Sequence, residues 1–282
     1  MKKFRLLSIM AHQDDWEFTA AGLWAKLRKR GVEFEGLVVT TTDGRSGHQT
    51  EKPESLVARR CAEARAAAAV LGCRYECLRD EKGATFWNGQ LIADNRARGA
   101  VWKLIREFQP DVVFCPPRTD EPRAGCHNDH VRTGEIVWSV AYQIQVPHAY
   151  PQYIYNDEPR RAPLIVAAYD DYLLGGGYDL AVDIDEVFDQ KIATLDCHRS
   201  QVYEWLPWVG NYPAPKNRDE VAVGMRQRHL ASNKRVGLKS KRPYEFFYLT
   251  RWGRAATRED LKNFFPGARH RRDLALLGHD RP

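Results

Sequence analysis

The chain has 282 residues, of which 43% are hydrophobic and 28% are charged, and it carries a formal net charge of +6. These proportions are typical of a globular protein with an ample core, and no run approaches the ~20 apolar residues that a membrane-spanning helix needs. The N-terminal segment is basic, but the apolar run that follows it spans about seven residues and ends at charged residues. This predicts a first strand and argues against a signal peptide.

Apolar runs of strand length alternate along the chain with segments of helical character. Strands are predicted at 5–11, 34–41, 74–79, 111–116, 163–169 and 179–184. Helices are predicted at 17–30, 55–71, 95–108, 130–145 and 185–202, and long loops at 147–163 and 206–218. The alternation predicts an α/β fold with a Rossmann-like, mainly parallel sheet flanked by helices. One domain is expected over 1–282, with its core at about 4–202 and an irregular C-terminal extension at about 203–282 that includes a late strand at 241–252.

The first predicted strand stops abruptly at polar residues. Its apolar run ends at Ala11, and His12, Asp14, Asp15 and Glu17 follow. Ligands of open α/β sheets bind just beyond the carboxyl ends of the strands, so this segment lies where a functional site is expected. Two adjacent carboxylates are costly to hold together unless a cation or a shared proton relieves them, and a histidine adds a nitrogen ligand. The segment therefore predicts a metal site.

A second polar cluster follows the predicted strand at 111–116, and it contains His127 and His130. Together with His12 and Asp15, one of these histidines completes a set of two histidines and one carboxylate. Three protein ligands leave a position open for water, as catalytic zinc sites require, and the same set suits Fe²⁺. Because His127 and His130 are only three residues apart, spacing alone does not decide which of them is the ligand.

The two clusters together resemble the signature of the PIG-L/LmbE-like metal-dependent N-deacetylases. That signature is His-x-Asp-Asp-x-Glu after a strand and a later His-x-Asp-His; here Gln13 and Asn128 stand where the family commonly has proline. Weaker matches are a glycine-containing loop at 42–47, an Arg-x-x-Glu helix at Arg60 and Glu63, and Lys191 followed by His198-Arg199-Ser200-Gln201. The resemblance covers residues 4 to about 202.

The resemblance implies a hydrolase that removes an N-acyl group, with acetyl expected, from an amino-sugar-like substrate such as an N-acetylglucosamine derivative. His12, Asp15 and His130 would bind Zn²⁺, with Fe²⁺ as the alternative, and Zn²⁺ would lower the pKa of its water from 15.7 to about 7. Asp14 would be the general base. His127 would stabilise the oxyanion or protonate the departing amine.

The resemblance also implies supporting residues. Substrate contacts are expected from Arg60, Asp43 and Asp80, and positioning roles from Asp129 and Glu17. Asp80 is a substitute: family members acting on N-acetylglucosamine derivatives often have an Asp-Gly pair in this region, whereas here Lys82 precedes Gly83. The identity of the substrate is therefore left open.

Several of these residues also have ordinary structural explanations. Asp14 or Asp15 would cap the following helix, which is a frequent role of aspartate. Arg60, taken alone, would be a solvated charge on a helix. Neither explanation accounts for His12 together with a second histidine-rich cluster, and the combination favours the metal site.

An aromatic group lies at the end of the region covered by the resemblance. Trp205, Trp208 and Tyr212 would either pack in the core or stack on a sugar ring, and packing in the core is the favoured interpretation.

The expected partner is a small, glycoside-like acylated amine, and a homo-oligomer is left open. The last 32 residues carry eight Arg and Lys against four Asp and Glu. We interpret this tail as a solvated extension, so nucleic acid is not expected. Six cysteines without a C-x-x-C pair predict reduced thiols and a cytoplasmic location. The alternative functions are an amidase of thiol or antibiotic conjugates, and a non-catalytic sugar- or nucleotide-binding protein on the same scaffold.

Overall fold

The computed structural model describes residues 3–118, 127–153, 162–170 and 177–271. Within them, one sheet of eight strands has the order β3-β2-β1-β4-β5-β7-β6-β8. The strands are β1 Phe4–Met10, β2 Phe34–Thr40, β3 Arg74–Cys77, β4 Val112–Cys115, β5 Leu164–Ala168, β6 Leu180–Asp183, β7 Tyr244–Leu249 and β8 Arg269–His270. Strands β1 to β5 pair in parallel, whereas β7 is antiparallel to β5 and β6, and β8 is antiparallel to β6. The predicted mainly parallel α/β fold is confirmed.

Helices cover the sheet. They are α1 Asp15–Thr19, α2 Ala21–Lys29, α3 Pro53–Val70, α4 Asn95–Phe108, α5 Asn128–Val140, α6 Phe188–Asp196, α7 Leu206–Gly210, α8 Arg218–Arg235 and α9 Arg258–Phe264, with a π-helix at Arg199–Trp205. In the part of the chain that the structure describes, no helix is long and apolar enough to cross a membrane.

The central strands separate two apolar layers. In β1, Leu6 and Met10 belong to one core cluster, and the intervening Leu7 and Ile9 belong to the other. Successive side chains of a strand point to opposite faces of a sheet, so a strand covered on both faces is apolar throughout. This is why the buried parts of β1 and β2 are mostly apolar in the sequence.

The helix predicted at 17–30 is two helices, α1 and α2, separated at Ala20. A buried ion pair holds this break. Lys191 donates from Nζ to the carbonyl oxygens of Glu17 and Phe18 at 2.6 and 3.0 Å, and to Glu245 Oε1 at 2.7 Å. Glu245 in turn accepts from the backbone nitrogens at the start of α2, at 2.9 and 2.7 Å. Distant residues therefore set the end of α1.

The C-terminal part is more regular than expected. The predicted late strand exists as β7, but it lies inside the sheet between β5 and β6. The stretch predicted as a loop at 206–218 contains α7, and the 18-residue helix α8 follows it. Helix α8 is rich in charged residues and buries few side chains, so its sequence lacks the apolar periodicity that identifies a helix. The predicted loop at 147–163 lies partly outside the described residues.

Candidate metal centre and its cavity

The predicted clusters meet at one edge of the sheet. His12 follows β1, and His130 lies in the first turn of α5, the helix that follows β4. Asp170 follows β5, and these three strands are neighbours in the order β1-β4-β5. Because the carboxyl ends of parallel strands lie at the same edge, three distant parts of the chain place polar side chains together.

Three side chains that could act as metal ligands form a compact triangle. His12 Nδ1 lies 3.2 Å from His130 Nε2. A carboxylate oxygen of Asp15 lies 3.6 Å from His12 Nδ1, and the other lies 3.5 Å from His130 Nε2. Ligand atoms about 2.0–2.1 Å from a tetrahedral ion are separated by about 3.3–3.4 Å, so these three side chains have close to the spacing of ligands that share one ion.

The outer nitrogens of both histidines contact carboxylates. His12 Nε2 lies 3.0 Å from Asp129 Oδ2, and His130 Nδ1 lies 2.5 Å from Asp170 Oδ2. If each outer nitrogen carries the proton for its carboxylate, the inner nitrogens face each other with lone pairs beside the charged Asp15. A proton or a metal ion between them relieves this arrangement, and carboxylate–histidine–metal chains have the same geometry.

The electrostatics of the site agree with a preference for positive charge. Burial lowers the pKa of His130, but the carboxylates of Asp15 and Asp170 outweigh it and raise that pKa to about 9. Burial raises the pKa of Asp15, yet His130 and His12 outweigh it and hold that pKa below its usual value. A divalent ion supplies the positive charge that these side chains stabilise.

A third histidine lies beside the triangle. The ring centroid of His127 is 4.7 Å from that of His12 and 4.9 Å from that of His130. Nitrogens of these three histidines lie within 4.8 Å of one another, so they could also hold an ion. The set that includes Asp15 is tighter, with every edge at or below 3.6 Å, and it fits a single ion better.

Asp14 lines the cavity next to these donors and is held by Arg60. Nη2 of Arg60 donates to Asp14 Oδ1 at 3.1 Å, and Nη1 donates to the carbonyl oxygen of Gly44 at 3.1 Å. The side chain of Asp14 makes no capping hydrogen bond to α1, so the simple capping interpretation does not describe it. Both residues are almost fully buried, at 6% and 3% exposure, and Arg60 is not a solvated helix charge.

The glycine loop is shaped by Arg60. Gly44 has φ +73°, and a Cβ there would lie 2.3 Å from Gln13 Oε1 and 2.8 Å from Arg60 Nη1. A Cβ at Gly47 would lie 2.6 Å from the same Arg60 nitrogen. The glycines therefore leave room for the guanidinium that contacts Asp14.

Asp43 and Asp80 are held away from the cavity. The Asp43 carboxylate is fully buried and accepts from Arg45 at 2.6–2.9 Å and from Thr85 Oγ1 at 2.8 Å. Asp80 accepts from Arg96 Nε at 2.5 Å and from two backbone nitrogens of its own turn. Neither residue is among the described residues that line the cavity, so this geometry does not favour direct contact with a substrate.

Asp129 and Glu17 are not among the described residues that line the cavity, and each contacts a histidine. Besides contacting His12, Asp129 accepts from Asn88 Nδ2 at 2.8 Å and from the Gly89 backbone at 2.6 Å, which ties the 84–93 loop to the metal centre. Glu17 Oε1 lies 2.9 Å from His198 Nε2 inside the core. Burial raises the pKa of Glu17 although His198 opposes the shift. His198, which belongs to one of the weaker family matches, is thus the side chain that contacts the Glu17 carboxylate.

The cavity has a volume of about 380 Å³, within the range of small-molecule sites. Its metal end contains the residues described above. The opposite wall comes from the C-terminal part: Trp205, Leu206 and Val209; Arg228, His229 and Ser232 on α8; and Tyr244, Glu245 and Phe246 on β7. His229 stays neutral, because burial and the nearby Lys191 lower its pKa well below the usual value.

Sequence reasoning missed several residues of the site. Asp170 comes two residues after the apolar strand β5, and a carboxylate just beyond a strand is the same pattern that identified Asp14 and Asp15, so Asp170 could have been found. Asn88 and Gly89 lie in an ordinary loop, and no local pattern identifies them. Cys126, next to the second cluster, lies outside the described residues.

Comparisons with known proteins agree with this geometry. Residues 7–141 match the family profile described as "PIG-L: GlcNAc-PI de-N-acetylase". The matched segment contains both predicted polar clusters. The predicted resemblance is confirmed, and the two relatives described next are deacetylases, as expected for this family of hydrolases.

Two curated relatives match most of the chain. A probable N-acetyl-alpha-D-glucosaminyl L-malate deacetylase 2 of Bacillus subtilis is 25% identical over 206 residues, covering 71% of this chain and 84% of the relative. A 1D-myo-inositol 2-acetamido-2-deoxy-alpha-D-glucopyranoside deacetylase 1 of Saccharopolyspora erythraea is 28% identical over 254 residues, covering 73% of this chain and 80% of the relative.

Solved structures share the fold. An N,N'-diacetylchitobiose deacetylase from Pyrococcus horikoshii has a TM-score of 0.66 and 24% identity, with 88% of this chain and 84% of that chain covered. GalB, a 4-carboxy-2-hydroxymuconate hydratase from Pseudomonas putida, has a TM-score of 0.61 and 20% identity, with 87% of this chain and 95% of that chain covered. Because one scaffold carries two reactions, the activity must be argued from the site.

Proposed function

We propose that this protein is a metal-dependent hydrolase that removes the N-acetyl group from an amino-sugar glycoside. The observation that carries the proposal is the triangle of His12 Nδ1, His130 Nε2 and the Asp15 carboxylate, with edges of 3.2 to 3.6 Å. The acidic residue Asp14 stands beside this triangle in the same cavity. A set of metal-ligand atoms with an adjacent carboxylate that can act as a base suits the hydrolysis of an unactivated amide.

His12, Asp15 and His130 would hold the ion, and Asp129 and Asp170 would fix the two histidine rings. Zn²⁺ is the first choice, because two nitrogens and one carboxylate with an open position form a catalytic zinc site, and Fe²⁺ is the alternative. A bound divalent ion would act as a Lewis acid, lowering the pKa of a water and polarising the acyl carbonyl.

The other residues move protons and orient the substrate. Arg60 contacts Asp14 at Oδ1, so we expect Oδ2 to accept the proton of the attacking water. We assign His127 to the acyl oxygen or the leaving amine, because its ring lies beside both ligand histidines. Arg60 would contact the substrate and at the same time keep Asp14 oriented. Asp43 and Asp80 would act indirectly, through the loops that they hold.

The substrate class rests on the relatives. Two deacetylases that act on N-acetylglucosamine joined to a polar group, malate or inositol, match more than two thirds of this chain. A cavity of about 380 Å³ is large enough for a sugar ring with its acetamido group. We therefore propose a small glycoside of N-acetylglucosamine as the substrate.

Two further proposals follow from the fold. The sheet contains β1 to β5 and also β7 and β8 from the C-terminal part, which supports a single domain over the whole chain. Five cysteines in the described residues are free thiols, which supports a location in the reducing cytoplasm.

The test is release of amine and acetate from N-acetylglucosamine and its malate and inositol glycosides. The protein is stripped with a chelator and then reloaded with Zn²⁺ or, without oxygen, with Fe²⁺. We expect equal amounts of amine and acetate, from the loaded protein alone. Loaded protein that binds the ion but releases neither product from any of these compounds would overturn the deacetylase proposal.

A further inference from the structure

A second depression lies next to the part of the cavity that Trp205 and Leu206 line. Trp205, with Leu206 and Val209, lines the cavity, whereas Trp208 and Tyr212 line the depression next to it. The indoles of Trp205 and Trp208 are stacked, with centroids 5.3 Å apart and an interplanar angle of 25°. A ligand that extends out of the cavity along this pair would therefore meet the depression directly.

The aromatic side chains of this depression are exposed. Trp208 is 59% exposed and Tyr212 is 50% exposed, so the favoured prediction that they pack in the core is wrong. Large aromatic surfaces in water are unfavourable, and side chains of this kind that remain exposed commonly mark an interaction site. We call the surface formed by Trp208 and Tyr212 the aromatic platform.

The platform is rigidly built. Asn211 adopts a left-handed conformation with φ 51°, and the Tyr212 nitrogen donates to the Pro207 carbonyl at 3.0 Å, which closes the end of α7. The Tyr212 ring lies over Gly210, where an added Cβ would be 2.5 Å from Tyr212 Cε1. Glycine at this position is thus what allows the phenol ring to lie flat. A fixed aromatic surface binds a ring with little loss of conformational entropy.

Polar side chains surround the platform. Gln49, Glu204 and Asn211 line the same depression. Glu204 is itself fixed, because Arg59 donates to its two carboxylate oxygens at 3.0 and 2.5 Å and His48 Nε2 lies 3.0 Å from it. Aromatic faces bordered by amide and carboxylate groups match a ligand that has an apolar face and hydroxyl groups at its edges.

We propose that the aromatic platform binds a second sugar ring, the one linked to the N-acetylated sugar that occupies the cavity. This inference rests on the proposed function, and it defines the substrate as a glycoside whose second ring is a neutral pyranose. A plain acyl chain would leave Gln49, Glu204 and Asn211 unused.

The test compares kcat/KM for N,N'-diacetylchitobiose with kcat/KM for N-acetylglucosamine in the metal-loaded protein. In Trp208→Ala, we expect the disaccharide-to-monosaccharide ratio to fall roughly three- to tenfold, which is the usual size of one aromatic contact. Trp208→Phe should restore most of the ratio. Val223→Ala removes another exposed apolar side chain, at 59% exposure on α8, and should keep the wild-type ratio.

Direct binding separates this proposal from the deacetylase proposal. Calorimetric titration of metal-free protein with N,N'-diacetylchitobiose should show binding that Trp208→Ala weakens by a similar factor. If the protein hydrolyses neither sugar, binding that depends on Trp208 still supports the platform. An unchanged ratio together with unchanged binding would overturn it. So would sedimentation showing an oligomer that Trp208→Ala dissociates while the ratio stays constant, since the platform would then contact a second copy of the chain.

Discussion

The two ends of the cavity are built in different ways. At the metal end, His12 comes two residues after the end of β1, and Asp170 comes two residues after the end of β5. The opposite wall is assembled from the π-helix, α7, α8 and β7, which come from a separate part of the chain. Of these elements, β7 joins the sheet beside the parallel strand β5. The metal end is thus fixed by short segments, whereas the wall depends on long-range packing. We place the chemistry in the first region and the choice of substrate in the second.

The largest expected effect tests the metal end. Asp14→Asn removes the general base but keeps the size of the side chain, so we expect kcat to fall by about 10²- to 10⁴-fold. Metal content, measured by elemental analysis of the purified protein, should stay at the wild-type value. If activity persists within a fewfold of wild type, Asp14 is not the base.

A second prediction concerns the contact between the two regions. Lys191→Met leaves Glu245 as an unpaired buried carboxylate, and we expect a loss of about 3–5 kcal/mol in the free energy of unfolding. Lys29→Met is the matched control, because Lys29 is 47% exposed and lies 3.3 Å from a partly exposed Glu186. The control should lose less than about 1 kcal/mol. Urea unfolding measures both, and equal losses would contradict the role given to Lys191.

The third prediction concerns Asp170, one of the residues that sequence reasoning missed. Asp170→Asn weakens the contact to His130 Nδ1, so we expect metal affinity to fall about 10- to 100-fold. Competition with a chelator of known affinity measures this change. Asp189→Asn is the control, since the Asp189 side chain is 89% exposed and should leave the affinity unchanged. Unaltered affinity in Asp170→Asn would show that Asp170 does not support the ion.

The smallest effect separates backbone strain from crowding of Arg60. Gly44 and Gly83 have similar left-handed conformations, with φ +73° and +79°, but a Cβ at Gly83 meets nothing within 4 Å. Alanine at either position should cost about 1–2 kcal/mol of stability. Only Gly44→Ala displaces Arg60, so that variant alone should also lose about tenfold in kcat. Equal kcat values in the two variants would contradict the positioning role of the glycine loop.

The residues that the structure brings together at the metal end could be found in the sequence because their signals are local. A strand followed by His12, Asp14 and Asp15 can be recognised as a candidate site from a few consecutive residues. The partners of these side chains depend on packing between distant segments, so Asn88 and Glu245 carried no signal. Helix α8 was missed because its residues are mostly charged. Trp208 was assigned to the core because composition does not show which face of a short helix is covered.

Asp43 and Asp80 show the limit of a family resemblance. Both occupy positions that the resemblance connects with substrate, yet Arg45 and Arg96 bind their carboxylates in this chain. A motif identifies a residue type at a position. Whether the side chain reaches the cavity depends on which neighbours compete for it.

The most direct test of the central claim is a crystal structure of metal-loaded protein, with the ion located by its anomalous scattering. We predict one ion about 2.0–2.2 Å from His12 Nδ1, His130 Nε2 and a carboxylate oxygen of Asp15. An ion bound by His12, His127 and His130 with Asp15 turned away, or no ion at this edge of the sheet, would contradict it.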